Sequence, residues 1–124
     1  MAVITPVVTN TVAADLSVNH VIWETLTEVN TSGAPISTVQ FADRSVQVTG
    51  TFGATSVAIQ GSNELVPVTW VTLTDPKDKA LTFTTAGLER ISERTLWIRP
   101  FLTGGTGVDL DVHLIAGLSN TLRT

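Results

Sequence analysis

Apolar and polar residues alternate at many places along this chain, and a period of two residues is typical of a β-strand with one buried face. In residues 45–52, Val46 and every second residue after it share one face, while serine, glutamine and threonine occupy the other. Gly53 and Ala54 then form a turn, and residues 56–61 alternate again. This stretch predicts a half-buried β-hairpin.

The same pattern predicts further short strands, at residues 20–27, 70–74, 81–84, 95–103 and 108–115. Pro100 has no amide hydrogen to donate, so it indicates an edge strand or a bulge. Residues 85–93 contain the only plausible helical pattern and predict a turn or a 3₁₀ segment, and residues 31–37 predict a loop. Because helices for parallel crossovers are missing, we expect an all-β fold, an antiparallel β-sandwich or jelly roll of six to eight strands.

The chain divides into an N-terminal arm at residues 1–16, one sandwich domain at 17–118 and a C-terminal tail at 119–124. The arm is apolar and uncharged up to Asp15, lacks a positively charged start and is interrupted by Pro6 and Asn10. It therefore predicts neither a signal peptide nor a membrane span. We expect its first dozen residues to be either strands of the sandwich or an arm laid on a neighbouring chain, and we favour the arm.

Composition excludes several classes of function. The chain has no cysteine, so disulfides, thiol catalysis and the common structural zinc sites are excluded. A formal net charge of -4, with seven scattered Lys and Arg residues, argues against nucleic-acid binding. A mean hydropathy of +0.30 predicts a homo-oligomer, a dimer first and a trimer second.

Few side chains are candidates for chemistry. Asp109, Asp111 and His113 share one face of a predicted strand, but such residues lie about 6.7 Å apart, too far to chelate one ion without a bend. His20 has no obvious acidic partner, and no cleft is implied that would pair Glu24 with the nearby Glu28. We therefore predict no catalytic residue, no metal and no cofactor, and do not expect an enzyme.

The three tryptophans, Trp23, Trp70 and Trp97, allow two interpretations. Exposed indole rings on a β-sandwich stack on sugars, which would make the chain a carbohydrate-binding module. A small core and an oligomer interface also use tryptophan. With no tyrosine and 6% aromatic residues, the core or interface interpretation is favoured.

Residues 45–115 resemble a small structural protein found in tailed bacteriophages. The resemblance rests on Ile-x-Gly-Ser-Asn at 59–63, Trp-x-x-Leu-Thr-Asp-Pro at 70–76, Thr-Phe-Thr at 82–84 and Ile-Arg-Pro at 98–100, followed by a glycine-rich turn. The sequence is most similar to the head-decoration, or cement, proteins of podovirus-like particles, which are β-sandwich or jelly-roll domains. In that family a short polar turn, usually with Asp-Gly, stands where this chain has an apolar insert at 64–68.

The resemblance implies a virion protein, made in the host bacterial cytoplasm, that stabilises the capsid by bridging subunits of the major capsid protein. Alternatives are a head–tail connector or tail protein, or a carbohydrate-binding module on the virion surface. We expect the partner contacts to be made by the arm, the apolar insert and one tryptophan: Val3, Ile4, Pro6, Val7, Val8, Leu65, Val66 and Trp97.

Overall fold

The computed structural model describes residues 3–9, 18–37 and 43–117, and within these ranges the chain forms twelve β-strands. The strands are β1 (Val3–Ile4), β2 (Val7–Thr9), β3 (Val18–Leu26), β4 (Ser32–Gly33), β5 (Ile36–Ser37), β6 (Asp43–Thr51), β7 (Ser56–Ser62), β8 (Val71–Thr72), β9 (Thr82–Phe83), β10 (Gly87–Arg90), β11 (Trp97–Thr103) and β12 (Asp109–Gly117). No described segment forms a helix with the length and hydrophobicity of a membrane span.

The strands form two sheets. Sheet A has the order β1-β4-β11-β7-β8, with β5 also paired to β11 and β9 to β7, and sheet B has the order β10-β6-β12-β3-β2. The pairing is antiparallel except between β1 and β4. The predicted β-sandwich is confirmed. There are more strands than predicted because the additional ones are mostly two-residue segments, too short to show an alternating pattern.

The core lies between the sheets, where the alternating residues of both inner faces meet. Sheet B contributes Trp23 and Val112, and sheet A contributes Ile59 and Ile98, each at most 2% exposed. Trp23 is fixed by a hydrogen bond of 3.0 Å from its Nε1 to the carbonyl oxygen of Ala34. Since burying one such side chain contributes about 1.5–3 kcal/mol, this apolar layer is a main source of the stability of the fold.

The predicted hairpin around Gly53 and Ala54 is wrong, because β6 belongs to sheet B and β7 to sheet A. The turn carries the chain from one sheet to the other. Gly53 and Ala54 both have positive φ, 55° and 66°, and the Gly53 carbonyl accepts a hydrogen bond from the Thr106 amide at 2.8 Å. Alternation is identical for a hairpin and for two strands that face each other across a core, so the pattern could not separate them.

The turn or 3₁₀ segment predicted at residues 85–93 is also wrong over Gly87–Arg90, which forms β10 and pairs with β6. Leu88 is 61% exposed whereas Ile91 is 3% exposed, so these residues do not share a face. The open edge of β6 offers backbone hydrogen bonds to this segment, and sheet pairing outweighs a helical pattern of barely two turns. Residues 31–37, predicted as a loop, include the short strands β4 and β5.

Pro100 lies inside sheet A and not at its edge, since β11 has neighbours on both sides. Its partner on β7 is Ile59, whose amide and carbonyl bond Leu81 and Leu73 on the opposite side. Ile59 and Pro100 are therefore a non-hydrogen-bonded pair. The nitrogen of Pro100, which has no hydrogen to donate, faces the gap between β4 and β5, where the sheet has no backbone hydrogen bond for it to make.

Candidate functional site

The segment after β7 forms a closed loop at residues 64–69, here called the Glu64 loop. Glu64 Oε1 accepts hydrogen bonds from the backbone amides of Thr69 (2.6 Å) and Val68 (2.8 Å) and from the hydroxyl of Ser62 (3.3 Å). The Thr69 amide contributes most to lowering the pKa of Glu64, followed by the Val68 amide. The side chain is thus a charged carboxylate at neutral pH that organises the loop.

The base of the Glu64 loop is attached to the start of β11. Trp97 donates a hydrogen bond from Nε1 to the carbonyl oxygen of Glu64 at 3.0 Å. One residue earlier, the Leu96 amide donates to Asn63 Oδ1 at 2.9 Å. Trp97, predicted as a partner contact, is half-buried and its indole N–H is used within the protein, so its structural role is to hold this loop.

Three apolar side chains project from the Glu64 loop into solvent. Leu65 is 85% exposed, Val66 78% and Val68 77%. We call these three residues the apolar tip. The insert predicted from the sequence as a contact surface is therefore exposed, and hydrogen bonds hold its loop in place at the base. Contact with a partner stays a prediction.

The described part of the predicted arm is built into the sandwich. Val3 and Ile4 form β1 at one edge of sheet A, and Val7 and Val8 belong to β2 at the edge of sheet B, so Pro6 lies where the chain passes between sheets. Ile4 packs against the core, whereas Val3, Val7 and Val8 are 54%, 54% and 43% exposed. This stretch is a pair of edge strands, and whether a neighbouring chain covers it is untested. Residues 1–2, 10–16 and the predicted tail at 119–124 lie outside the described residues.

The outer face of sheet A, which points away from the core, has an arginine surrounded by aromatic rings. The guanidinium carbon of Arg99 lies 4.2 Å from the ring centroid of Trp70 and 5.2 Å from that of Phe101. Its Nε donates to Gln60 Oε1 at 2.9 Å. Partial burial lowers the pKa of Arg99, which stays fully charged at neutral pH.

The three tryptophans have different roles. Trp23 is in the core, as the core interpretation predicts, and only Trp70 and Trp97 belong to the surface. Both are half-buried, because Arg99 stacks on the first and the Glu64 loop is bonded to the second. Neither indole is a freely exposed platform.

The outer face of sheet B includes the predicted polar strand. Asp109, Asp111 and His113 alternate with buried residues of β12, as expected. Asp111 Oδ1 accepts a hydrogen bond from the Thr25 amide at 3.0 Å, and His113 Nδ1 lies 3.2 Å from Nε2 of His20 on β3. Within the described ranges, no group of three or more His, Asp or Glu side chains is close enough to hold a metal ion.

The candidate acidic pair of Glu24 and Glu28 is not formed. Glu28 bonds the amides of Gly107 (2.8 Å) and Val108 (3.1 Å), whereas Glu24 is exposed. The pKa of Glu28 is lowered, chiefly by its own backbone amide and then by these two amides. A general acid at neutral pH needs a raised pKa, so Glu28 is poorly suited to that task.

Three features of these surfaces were not predicted. Glu64 organises its loop through residues at most five positions away, which a pattern of alternation does not report. The stacking of Arg99 on Trp70 and the contact between His20 and His113 depend on distances between segments. The only sequence signal was the acidic residue at the start of an apolar insert. No family model, curated protein or solved structure matches the chain, so the phage resemblance is carried forward only as a proposal.

Proposed function

We propose that this chain is a structural protein of a bacteriophage virion, which decorates the capsid and stabilises it by bridging subunits of the major capsid protein. The observation that carries the proposal is the apolar tip. Leu65, Val66 and Val68 are more than three-quarters exposed on a loop whose base is fixed by a charged carboxylate and by Trp97. Complete burial of each side chain against a partner would contribute about 1.5–3 kcal/mol.

The remainder of the molecule is consistent with a role as a rigid wall. The described surface offers polar side chains that are engaged in local hydrogen bonds, and the pKa values of Glu28, Glu64 and Glu93 are all lowered. A protein that binds only the assembled shell stabilises that state by mass action, and many modest contacts add through multivalency. We include self-association, as a dimer or trimer, and a virion location in the same proposal.

The test compares Val66→Asp with Val29→Asp on purified virions that contain the chain. Val29 is an equally simple control because it is also a loop valine, 63% exposed. Val29 follows β3 and is next to Glu28, which accepts a hydrogen bond from the turn before β12, near the start of β7. The Glu64 loop follows the end of β7, so the two valines lie at different ends of that strand. Both variants should fold like the wild type, since substitutions at exposed positions usually change stability by less than about 0.5 kcal/mol.

Val66→Asp should lower the affinity for particles about a hundredfold or more, because it removes an apolar contact and buries a carboxylate. Val29→Asp should leave occupancy unchanged. Equal occupancy of both variants would reject the apolar tip as the docking element. Counting copies per virion then locates the protein: hundreds, with heads that burst once the chain is lost on heating, support decoration, and a few copies retained with the tail support the connector or tail alternative.

A carbohydrate-binding function is the second candidate, and the observation that favours it is the cluster of Arg99, Trp70, Phe101 and Gln60 on sheet A. Because Arg99 covers part of Trp70, a sugar would bind chiefly by pairing its carboxylate with the guanidinium, and would contact only the parts of Trp70 and Phe101 that remain uncovered. If this candidate is correct, host polysaccharide shifts the tryptophan fluorescence and Trp70→Ala abolishes the shift. If decoration is the only function, polysaccharide has no effect.

A further inference from the structure

The two histidines of the chain lie side by side on the outer face of sheet B, although they are 93 residues apart in sequence. In the β3–β12 ladder, His20 is paired with Ile115 and His113 with Ile22, so the imidazoles are diagonal neighbours on one face. Both side chains are half-buried. Their nitrogens, Nε2 of His20 and Nδ1 of His113, are 3.2 Å apart.

This separation matches a shared metal ion as well as it matches a hydrogen bond. Two imidazole nitrogens bound to one tetrahedral Zn²⁺, at about 2.0–2.1 Å each, lie about 3.3 Å apart. The rings need only turn by about 35° for both lone pairs to converge on one point beside the nitrogen–nitrogen line. We propose that His20 and His113 form a chelating site for a borderline divalent metal ion, such as Zn²⁺, Ni²⁺ or Cu²⁺.

Both imidazoles can bind the ion in their neutral form without a net loss of protons. In the hydrogen-bonded pair one imidazole accepts and already presents a lone pair, while the other donates its N–H. The donor ring becomes a ligand when its single proton moves to its other nitrogen, so no net proton is released. Two protein ligands leave two positions of a tetrahedral ion to water, consistent with the absence of a third acidic or imidazole ligand in the described ranges.

The neighbours of the pair support selectivity for metals that prefer imidazole. The residues paired directly with the histidines are Thr9 with His20, Gln47 with His113 and the two isoleucines, and none is a carboxylate. Asp111, the next residue on the same face of β12, accepts a hydrogen bond from the Thr25 amide. Hard cations such as Mg²⁺ and Ca²⁺ require several oxygen ligands, so they should not bind here. The site goes beyond decoration of a capsid and does not depend on it.

The test titrates the folded protein with ZnCl₂ and follows the imidazole nitrogens by ¹⁵N NMR, with isothermal titration calorimetry for the affinity. Zn²⁺ should shift His20 Nε2 and His113 Nδ1 selectively, whereas MgCl₂ and CaCl₂ should shift neither. His20→Gln and His113→Gln should each lower the Zn²⁺ affinity about tenfold or more, because a single imidazole loses the chelate. Asp109→Asn, on the same face of β12, is the matched control and should bind like the wild type.

Circular dichroism establishes that each variant is folded. If 1 mM ZnCl₂ leaves both imidazole signals unchanged, the two histidines form only a hydrogen bond and the proposal is wrong. It is equally wrong if either single variant retains the wild-type affinity, since the metal would then be bound elsewhere.

Discussion

Gly33 of β4 is placed so tightly that a single added methyl group should disturb the contact between the sheets. A Cβ atom at this position would lie 2.5 Å from Trp23 Cδ1 and 2.6 Å from Pro100 Cδ. Trp23 is in the core of sheet B and Pro100 in the middle of sheet A, so neither atom belongs to the flexible end of a side chain. Gly33→Ala therefore requires the indole, the proline ring or β4 itself to move.

The expected cost follows from these distances. Relief of the overlap needs a shift of about 1 Å in closely packed groups, and overpacking of this kind costs about 1–3 kcal/mol. Displacement of Trp23 also weakens its hydrogen bond to the Ala34 carbonyl, worth about 1 kcal/mol. We expect a total loss of about 2–4 kcal/mol, which lowers Tm by about 8–15 °C in a domain of this size.

The assay is urea unfolding followed by tryptophan fluorescence, with Gly104→Ala as the matched control. Gly104 has a φ of 75°, and no atom lies within 4 Å of an added Cβ. Gly104→Ala should therefore lose about 1 kcal/mol of stability, and only because alanine disfavours a positive φ. If Gly33→Ala costs no more than Gly104→Ala, the steric argument is refuted and β4 must adjust freely between the sheets.

Two further predictions concern the segment between β10 and β11. Arg44 is 2% exposed and donates hydrogen bonds to the carbonyl oxygens of Glu93 and Thr95, so Arg44→Met should cost about 2–3 kcal/mol in urea unfolding, and Arg44→Lys should recover part of it. For Glu93, desolvation is the largest single influence and raises the pKa. Several hydrogen bonds together outweigh it, chiefly those from the Thr74 hydroxyl and amide, so the pKa is lowered. A carboxyl group whose pKa is lowered by folding stabilises the protein above its unfolded-state pKa of about 4.3, and this stabilisation is lost as the pH falls through its folded-state pKa. The difference in unfolding free energy between wild type and Glu93→Gln should therefore shrink below about pH 4.3. A difference that stays constant down to pH 2.5 would contradict this assignment.

The buried face of each strand could be predicted from the sequence, because burial on one side of a strand makes apolar residues recur at every second position. Val46 and Val48 on β6, and Leu110 and Val112 on β12, are buried as the alternation requires. The assignment of strands to sheets was not predictable, and the wrong hairpin at Gly53 shows why. Alternation reports which residues face the core, but two strands on the same sheet and two strands on opposite sheets present identical patterns.

The candidate surfaces divide in the same way. The apolar insert was visible in the sequence because Leu65 and Val66 stand where a short polar turn was expected, and both side chains are exposed in the structure. The pairing of His20 with His113 depends on the register of β3 against β12, including a bulge between Leu110 and Val112. No local pattern encodes such a register, so contacts between distant strands must come from the structure.

Four acidic side chains explain how loops without a sheet neighbour are nonetheless fixed. Each carboxylate accepts hydrogen bonds from one or two backbone amides: Glu28 from Gly107 and Val108, Glu64 from Val68 and Thr69, Asp75 from Lys77 and Lys79, and Glu93 from Thr74. Such amides have no ladder partner and would otherwise be left to solvent. The bonds lower the pKa of all four groups, so they remain charged acceptors at neutral pH. These four carboxylates thus fix loop geometry. If the apolar tip binds a partner as we propose, the Glu64 loop is already ordered before contact, and less conformational entropy is lost on binding.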